Sequence, residues 1–300
     1  MNSRNFSKPT LLVIAGATAV GKTQYAIQTA IDCESVVISA DSRQFYREMK
    51  IGTAAPTPEE LAAVPHYFVG NLSIHDYYSV SRFEQEVLQL LPTLFATHPV
   101  VVMTGGSGLY IDAVCNGIDE LPDPDPELRA FVNNLYLHDG IEALRTELRR
   151  VDPAYYDRCN LADHKRMIRA VEVSLQMGQP YSDFMQQTRR QRDFDIRKIC
   201  LVRPRAELFD RINRRVNKMM ENGLLDEVRS LYPYKHLNSL NTVGYKELFD
   251  FIDGKLSLEQ AVTDIKTHTR RYAKRQMTWF KRNEGEYEFV ELPPETTKKM

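Results

Sequence analysis

The sequence predicts an α/β protein: a parallel sheet flanked by helices, interrupted by a helical insertion and followed by C-terminal helices. Three observations carry the prediction. Short apolar runs recur, helix-forming stretches alternate with them, and a run of prolines and aspartates separates the strand-bearing part from a purely helical one. Strands that alternate with helices imply βαβ units, hence parallel strands covered on both faces.

Residues 10–15 (TLLVIA) are continuously apolar and followed by glycine, the pattern of a strand buried on both sides. Residues 23–31 have helix-forming composition. Residues 36–40 (VVISA) and 100–103 (VVVM) read as a second and a third buried strand. LPDPDP at 121–126 marks a boundary. Residues 127–192 are helical in pattern with no convincing strand, so they read as an insertion. Residues 197–202 (RKICLV) return as a strand. Leu208, Ile212, Val216 and Met219 then form an apolar stripe at helical spacing that stops at Gly223. A last long helix is expected over 258–282, and the polar tail from 293 is expected to fray. The expected organisation is a core domain of residues 1–120 with 195–300 and an insertion domain of residues 121–194.

Forty acidic residues face thirty-nine Lys and Arg, a formal charge of −1. Nucleic-acid binders usually carry excess positive charge, so any basic surface here has to be local. Cys33, Cys115, Cys159 and Cys200 are far apart and form no Cys-x-x-Cys pair. That spacing argues against a zinc knuckle or a disulfide framework and for reduced thiols in a cytoplasmic protein. The N-terminal MNSRNFSKPT lacks the apolar stretch of a signal peptide, and no apolar run of about eighteen residues suggests a membrane span.

Chemistry enters with Gly16, Ala17, Thr18, Ala19, Val20, Gly21, Lys22 and Thr23, which fit G-x-x-x-x-G-K-[ST] between the first strand and the first helix. The glycines let successive N–H groups turn toward phosphate oxygens, and the helix that follows adds its positive end. Lys22 supplies a point charge, and the Thr23 hydroxyl is suited to Mg²⁺. The sheet is therefore of P-loop type. The loop alone does not say whether the phosphates belong to a nucleotide or to another diphosphate.

Asp41 stands at the end of the second strand, where open α/β sheets bind ligands. There a carboxylate can take a proton from a nucleophile, with Arg43 and Gln44 bonding a base or backbone. It can equally hold Mg²⁺ through water or cap a helix, and the residues alone leave these roles open. Gly105, Gly106, Ser107 and Gly108 make a second glycine-rich turn after the third strand, facing the same end of the sheet.

These segments together resemble the tRNA dimethylallyltransferase family of bacterial type. The family shows GPTAxGKT, D-S-x-Q-x-Y, I-G-T-A-K-P and G-G-T-G-L-Y. Here they stand as GATAVGKT, Asp41-Ser42-Arg43-Gln44-Phe45-Tyr46, Ile51-Gly52-Thr53-Ala54-Ala55-Pro56 and Gly105-Gly106-Ser107-Gly108-Leu109-Tyr110. Pro65-His66, Val151-Asp152-Pro153, Arg169-Ala170-Val171-Glu172, Thr242-Val243-Gly244-Tyr245-Lys246-Glu247 and the stretch from Tyr272 to Phe280 follow in the family's order. Ala17, Ala55, Tyr67 and Ser107 depart from the usual proline, lysine, histidine and threonine.

The resemblance implies dimethylallyl diphosphate on the loop, Mg²⁺ as cofactor, and an anticodon-loop adenosine of tRNA as acceptor. It implies that Asp41 takes the amine proton, that Ser107 positions diphosphate or amine, and that Arg211 contacts the diphosphate. Asp41, Ser42, Arg43, Gln44, Ser107, Arg129, Lys165, Arg166, Met167, Ile168 and Arg169 are the implied tRNA-binding residues. A monomer is expected. On residues alone, Arg211 is also readable as part of a solvated face with Asp210, Arg214 and Arg215. The basic run from Arg270 to Arg282 has the same reading, and Tyr272, Trp279 and Phe280 read as core.

Three rivals remain open. An adenylate isopentenyltransferase would share the loop and Asp41 without needing the insertion. A small-molecule kinase would use Arg129, Arg145, Arg149 and Arg150 in a lid. A regulatory RNA binder would have no use for an intact Lys22, Thr23 and Asp41.

Overall fold

The computed structural model describes residues 8–185, 189–282 and 285–294. The tail beyond 294, for which fraying is expected, lies outside the described residues. One sheet holds β1 (Thr10–Gly16), β2 (Val37–Ser39), β3 (His66–Tyr67), β4 (Val100–Gly105), β5 (Asp195–Val202) and β6 (Glu288–Glu291). The spatial order is β3-β2-β4-β1-β5-β6, with every described pair parallel. The helices are α1 (Lys22–Asp32), α2 (Pro58–Ala63), α3 (Val80–Phe95), α4 (Gly108–Asn116), α5 (Pro126–Val151) and α6 (Pro153–Arg158). There follow α7 (His164–Met177), α8 (Tyr181–Phe184), α9 (Arg205–Glu221), α10 (Leu224–Leu231), α11 (Tyr245–Ile252) and α12 (Leu258–Lys281).

Every residue of β1 is buried, and alternate side chains serve two different cores. Leu11, Val13 and Ala15 pack with Phe83, Leu91 and Ile111, while Leu12 and Ile14 pack with Ala26, Ala30, Leu208 and Ile212. Each fully buried Leu or Ile contributes roughly 1.5–3 kcal/mol of transfer free energy, which is why a central parallel strand reads as an unbroken apolar run. A third core joins Val216, Leu224, Val228, Tyr245, Leu248 and Ile265 and so ties α9, α10, α11 and α12 together.

Several elements go unannounced by the apolar runs, and four show why. β3 has two residues, too few for any period, and β6 has four, largely exposed at the sheet edge. The six-residue α2 is set by the reciprocal Thr57–Glu60 capping box, and α3 by the Ser79 hydroxyl accepting from Arg82 N.

The chain divides into two compact units, residues 1–115 with 191–300 and residues 116–190. The boundary therefore falls before LPDPDP and not at it. Arg169 Nη2 donates to Pro122 O at 2.6 Å and Gln176 Nε2 to Asp123 O at 3.0 Å, so helix α7 holds the proline run inside the helical unit. In that unit Asp125 caps α5, which breaks at Gly140, and Val132, Leu144, Leu148, Met167 and Val171 form the core. Asp152 is wholly buried yet satisfied: it accepts from Tyr155 N at 2.8 Å, Ser182 N at 2.7 Å and Ser182 Oγ at 2.9 Å. The Val-Asp-Pro segment is thus a structural joint.

Candidate active site

The loop between β1 and α1 wraps the floor of a cleft of about 610 Å³. Gly21 has a φ of 115°, a conformation that favours glycine and lets the chain turn directly into α1. Several of the loop's carbonyls are engaged by cations. Lys22 Nζ donates to Ala17 O at 2.9 Å, Arg211 Nε to Ala19 O at 2.7 Å and Arg203 Nε to Val20 O at 2.8 Å. With those oxygens held, the loop suits an anion rather than a cation. Arg211, Arg214, Arg215 and Lys218 of α9 line the same cleft. Arg215 Nη1 also reaches Thr18 Oγ1 at 3.2 Å.

Gln276 of α12 joins the two glycine-rich turns. Its Oε1 accepts from Thr18 N at 2.8 Å and its Nε2 donates to Gly106 O at 2.9 Å. A β-carbon on Gly106 would meet that amide nitrogen, so the amide's present approach uses glycine's lack of a side chain. On the acceptor side, Ser107 Oγ accepts from Ser42 N at 3.0 Å and hydrogen-bonds Tyr272. Asp41, Thr104 and Gly105 complete this wall. The segment from Lys50 to Gly52 is pinned by Glu227, whose carboxylate accepts from N–H groups at 3.0, 2.8 and 2.9 Å and from the Tyr245 hydroxyl at 2.7 Å.

Electrostatics follow from this crowding. Burial brings the Lys22 amine down to about 8 from the usual 10.5, with the charge of Asp41 opposing and that of Arg215 assisting. Burial lowers Arg215 as well, again opposed by Asp41. The Tyr272 phenol is pushed up to about 12, first by burial and then by the Asp41 charge, so at neutral pH it is a hydrogen-bond donor. The cleft holds positive charge at a desolvation cost that a bound anion would offset.

Among the sequence-predicted site residues, the structure brings Thr18, Ala19, Gly21, Lys22 and Thr23 into one cleft with Asp41, Gln44 and Arg211, and places Ser107 beside Ser42 and Tyr272, whereas Gly16, Ala17 and Val20 are buried and do not line the cleft. Four of the residues expected to meet RNA are engaged or buried within the protein itself. Arg43 gives its Nη1 to the carbonyls of Asn238 and Ser239 at 3.1 and 3.0 Å, and Gln44 gives its Nε2 to Ala54 O at 3.1 Å, so both are engaged in holding loops. Met167 is wholly buried and Ile168 nearly so, because they face the core of the helical unit and not its surface. On the same helix Lys165 and Arg166 are exposed, with Arg166 3.3 Å from Asp163. Arg129 and Arg169 both meet the buried carboxylate of Glu172, at 2.9 and 3.4 Å.

Tyr272, Arg215 and Gln276 carry no assigned role in the sequence reading. Tyr272 reads there as core and Arg215 as solvated face. The usable signal was i, i+4 spacing, which puts Arg215 above Arg211 and Gln276 above Tyr272 on one helix face. Trp279 and Phe280 do behave as structure: Phe280 is buried, and the Trp279 indole lies against Gly108 and donates to Asp112 at 3.0 Å.

A phosphate-shaped loop at the end of a central parallel strand, with a carboxylate and cationic helix lining the same cleft, defines an α/β protein of the P-loop class. Residues 44–283 match the model of a family described as IPP transferase, and the chain belongs to that family. It is 52% identical over 276 residues to tRNA dimethylallyltransferase 1 of Bacteroides thetaiotaomicron, covering 92% of this chain and 90% of that one. The fold is similar to the crystal structure of a tRNA isopentenylpyrophosphate transferase from Bacillus halodurans, at 35% identity and a TM-score of 0.68 over 95% of this chain and 90% of that one. A eukaryotic dimethylallyltransferase described as acting on tRNA superposes with a TM-score of 0.78 at 26% identity, over 95% of this chain and 74% of its own.

Proposed function

We propose that this chain is a tRNA dimethylallyltransferase that moves the five-carbon group of dimethylallyl diphosphate onto N6 of the adenosine 3′ to the anticodon. The observation that carries the reading is the single cleft shared by the phosphate loop, the α9 cations and Asp41. Diphosphate is the leaving group, so negative charge grows on the oxygens that the loop, Lys22 and the arginines surround, and that is transition-state stabilisation. The C1–O bond breaks as the N6–C1 bond forms, and diphosphate leaves with the electron pair. The N6 lone pair is delocalised into the ring, so Asp41 takes the amine proton as the bond forms. Tyr272 and Ser107 orient the acceptor side.

Among the described residues no three His, Cys, Asp or Glu side chains cluster as a metal cage. The cleft offers the Thr23 hydroxyl. Such sparse protein ligation fits Mg²⁺, which keeps waters and takes most other ligands from phosphate. When bound there, Mg²⁺ would supply further charge neutralisation of the diphosphate. An adenosine within an anticodon loop must be unstacked to reach the cleft, and exposed basic side chains such as Lys165 and Arg166 suit contact with its backbone. Among the described residues no helix is long and apolar enough to cross a membrane.

The test is incubation with labelled dimethylallyl diphosphate, Mg²⁺ and either unmodified tRNA or AMP. Label in tRNA alone is the expected outcome. Label in AMP would instead make this a free-nucleotide transferase, and label in neither would overturn the reading.

A further inference from the structure

Thr53, Ala54 and Ala55 line the cleft, and they sit on a turn whose conformation the local sequence does not favour. Ala54 has a φ of 48°, a region that residues with a side chain seldom adopt. Inside the turn, Ala54 N donates to Ile51 O and Ala55 N to Lys50 O, both at 3.0 Å. From outside, the Glu227 carboxylate at the start of α10 gathers the successive N–H groups of Lys50, Ile51 and Gly52 and the hydroxyl of Tyr245. Backbone held in such a region persists where its surroundings over-determine it, and this carboxylate is the surrounding group with the most bonds to it.

The turn reaches the reacting groups through Gln44. Gln44 Nε2 donates to Ala54 O at 3.1 Å and to Thr53 O at 3.4 Å, while its Oε1 accepts from Ser39 Oγ at 3.1 Å. Ser39 ends β2, and Gln44 N donates to Asp41 O at 3.2 Å. One side chain thus ties the turn to the strand end that carries Asp41. We propose that Glu227 is a positioning residue for the transfer: by fixing the Thr53 and Ala54 carbonyls it fixes Gln44, and through Gln44 the backbone that aims Asp41 into the cleft. The proposal rests on the prenyl-transfer reading and deepens it.

Glu227 itself lines no part of the cleft, so it acts on the reaction only through these bonds. All four use its oxygens as acceptors: Oε2 takes Lys50 N and Ile51 N, and Oε1 takes Gly52 N and the Tyr245 hydroxyl. Burial and then the Glu227 charge push the Tyr245 phenol upward, which keeps it a donor. A β-carbon on Gly52 would come within 2.5 Å of the Tyr245 ring, and that ring is wholly buried, so its seat against the turn uses the missing side chain. An amide at position 227 keeps the shape but replaces one acceptor oxygen by an NH₂ group that faces N–H donors.

The experiment measures label transfer from dimethylallyl diphosphate to an anticodon-loop RNA for wild type, Glu227→Gln, Gln44→Ala and the double variant, with a urea midpoint for each. Glu227→Gln should lower kcat by about tenfold, since a small misplacement of a reacting group is enough for that. Inhibition by inorganic diphosphate should stay as in wild type, which reports an intact phosphate loop. In a Gln44→Ala background the same change should cost less than about twofold, because the connection it acts through is already cut. A merely structural role would lower the urea midpoint and carry its full effect into that background. Additive losses, or a Glu227→Gln enzyme with wild-type kcat, would therefore overturn the proposal. Should Glu227→Gln not fold, Tyr245→Phe removes one of the four bonds and serves the same cycle, with an expected loss of about threefold that vanishes in Gln44→Ala. A wild-type enzyme that transfers no label would overturn the prenyl-transfer reading itself, whereas transfer without coupling between positions 227 and 44 would overturn this inference alone.

Discussion

Arg211 and Arg215 of the sheet-bearing unit and Arg129 and Arg169 of the helical unit look alike in sequence, each lying on a helix among other charges. The structure uses them differently. Arg211 and Arg215 direct donors to Ala19 O and Thr18 Oγ1 of the phosphate loop, and they line a cleft with Lys22. Arg129 and Arg169 converge on Glu172, whose side chain has no solvent exposure. In the first unit positive charge is gathered around an anion-shaped space at a desolvation cost. In the second it is compensated by a carboxylate that would be costly to leave alone. A basic run in a sequence is therefore no measure of an RNA surface until its acidic partners are known.

Four experiments would break or sharpen this contrast. Lys22→Ala should cut turnover by about a hundredfold or more, read as label transferred from dimethylallyl diphosphate to tRNA. Near-normal turnover would mean the charge in the cleft is not held for diphosphate. Asp41→Asn should lower kcat by about a hundredfold while RNA affinity by filter binding stays within a few-fold. Collapse of affinity with kcat preserved would make Asp41 a binding residue.

In the helical unit, Arg169→Ala should destabilise by about 1–3 kcal/mol in urea unfolding, since Glu172 loses a partner and Pro122 O a donor. Arg166→Ala should leave the urea midpoint alone and reduce the slope of log K against log salt for RNA by about one contact. Equal effects from both would erase the distinction between compensated and presented charge.

The smallest effect is one of pH. Lys22 titrates near 8 in the free protein, and the proposed mechanism uses its charged form to hold the donor's diphosphate. The kcat/KM for the donor should therefore be flat below pH 8 and fall about tenfold per unit above it. The lowered value has the opposite consequence for the unliganded fold. Between about pH 8 and the usual 10.5 the unfolded chain binds more protons at this group, so stability rises with pH across that window. A donor kcat/KM that is level to pH 10 would show that Lys22 stays charged throughout.

Much of the fold and part of the site were legible in the residues themselves. Leu11 to Ala15 read as a central strand because burial on both faces demands an unbroken apolar run. The phosphate loop read as one because its glycines, lysine and threonine are contiguous. β3 and β6 were not legible, since two residues cannot show a period and an exposed edge strand need not be apolar. LPDPDP looked like a hinge because proline and aspartate favour turns, but Arg169 and Gln176 bind its carbonyls into the helical unit.

By itself the sequence determined what local pattern can determine: the α/β class, the phosphate loop, the strand-end position of Asp41 and the helical character of the insertion. Only the tertiary structure decided that Gln276 bridges Thr18 and Gly106, that Arg215 and Tyr272 reach the cleft, and that Met167 is core. Thr18 and Gln276 are 258 residues apart. Which face of α7, α9 or α12 turns inward is set by how whole helices pack against distant partners, and no local spacing records that choice.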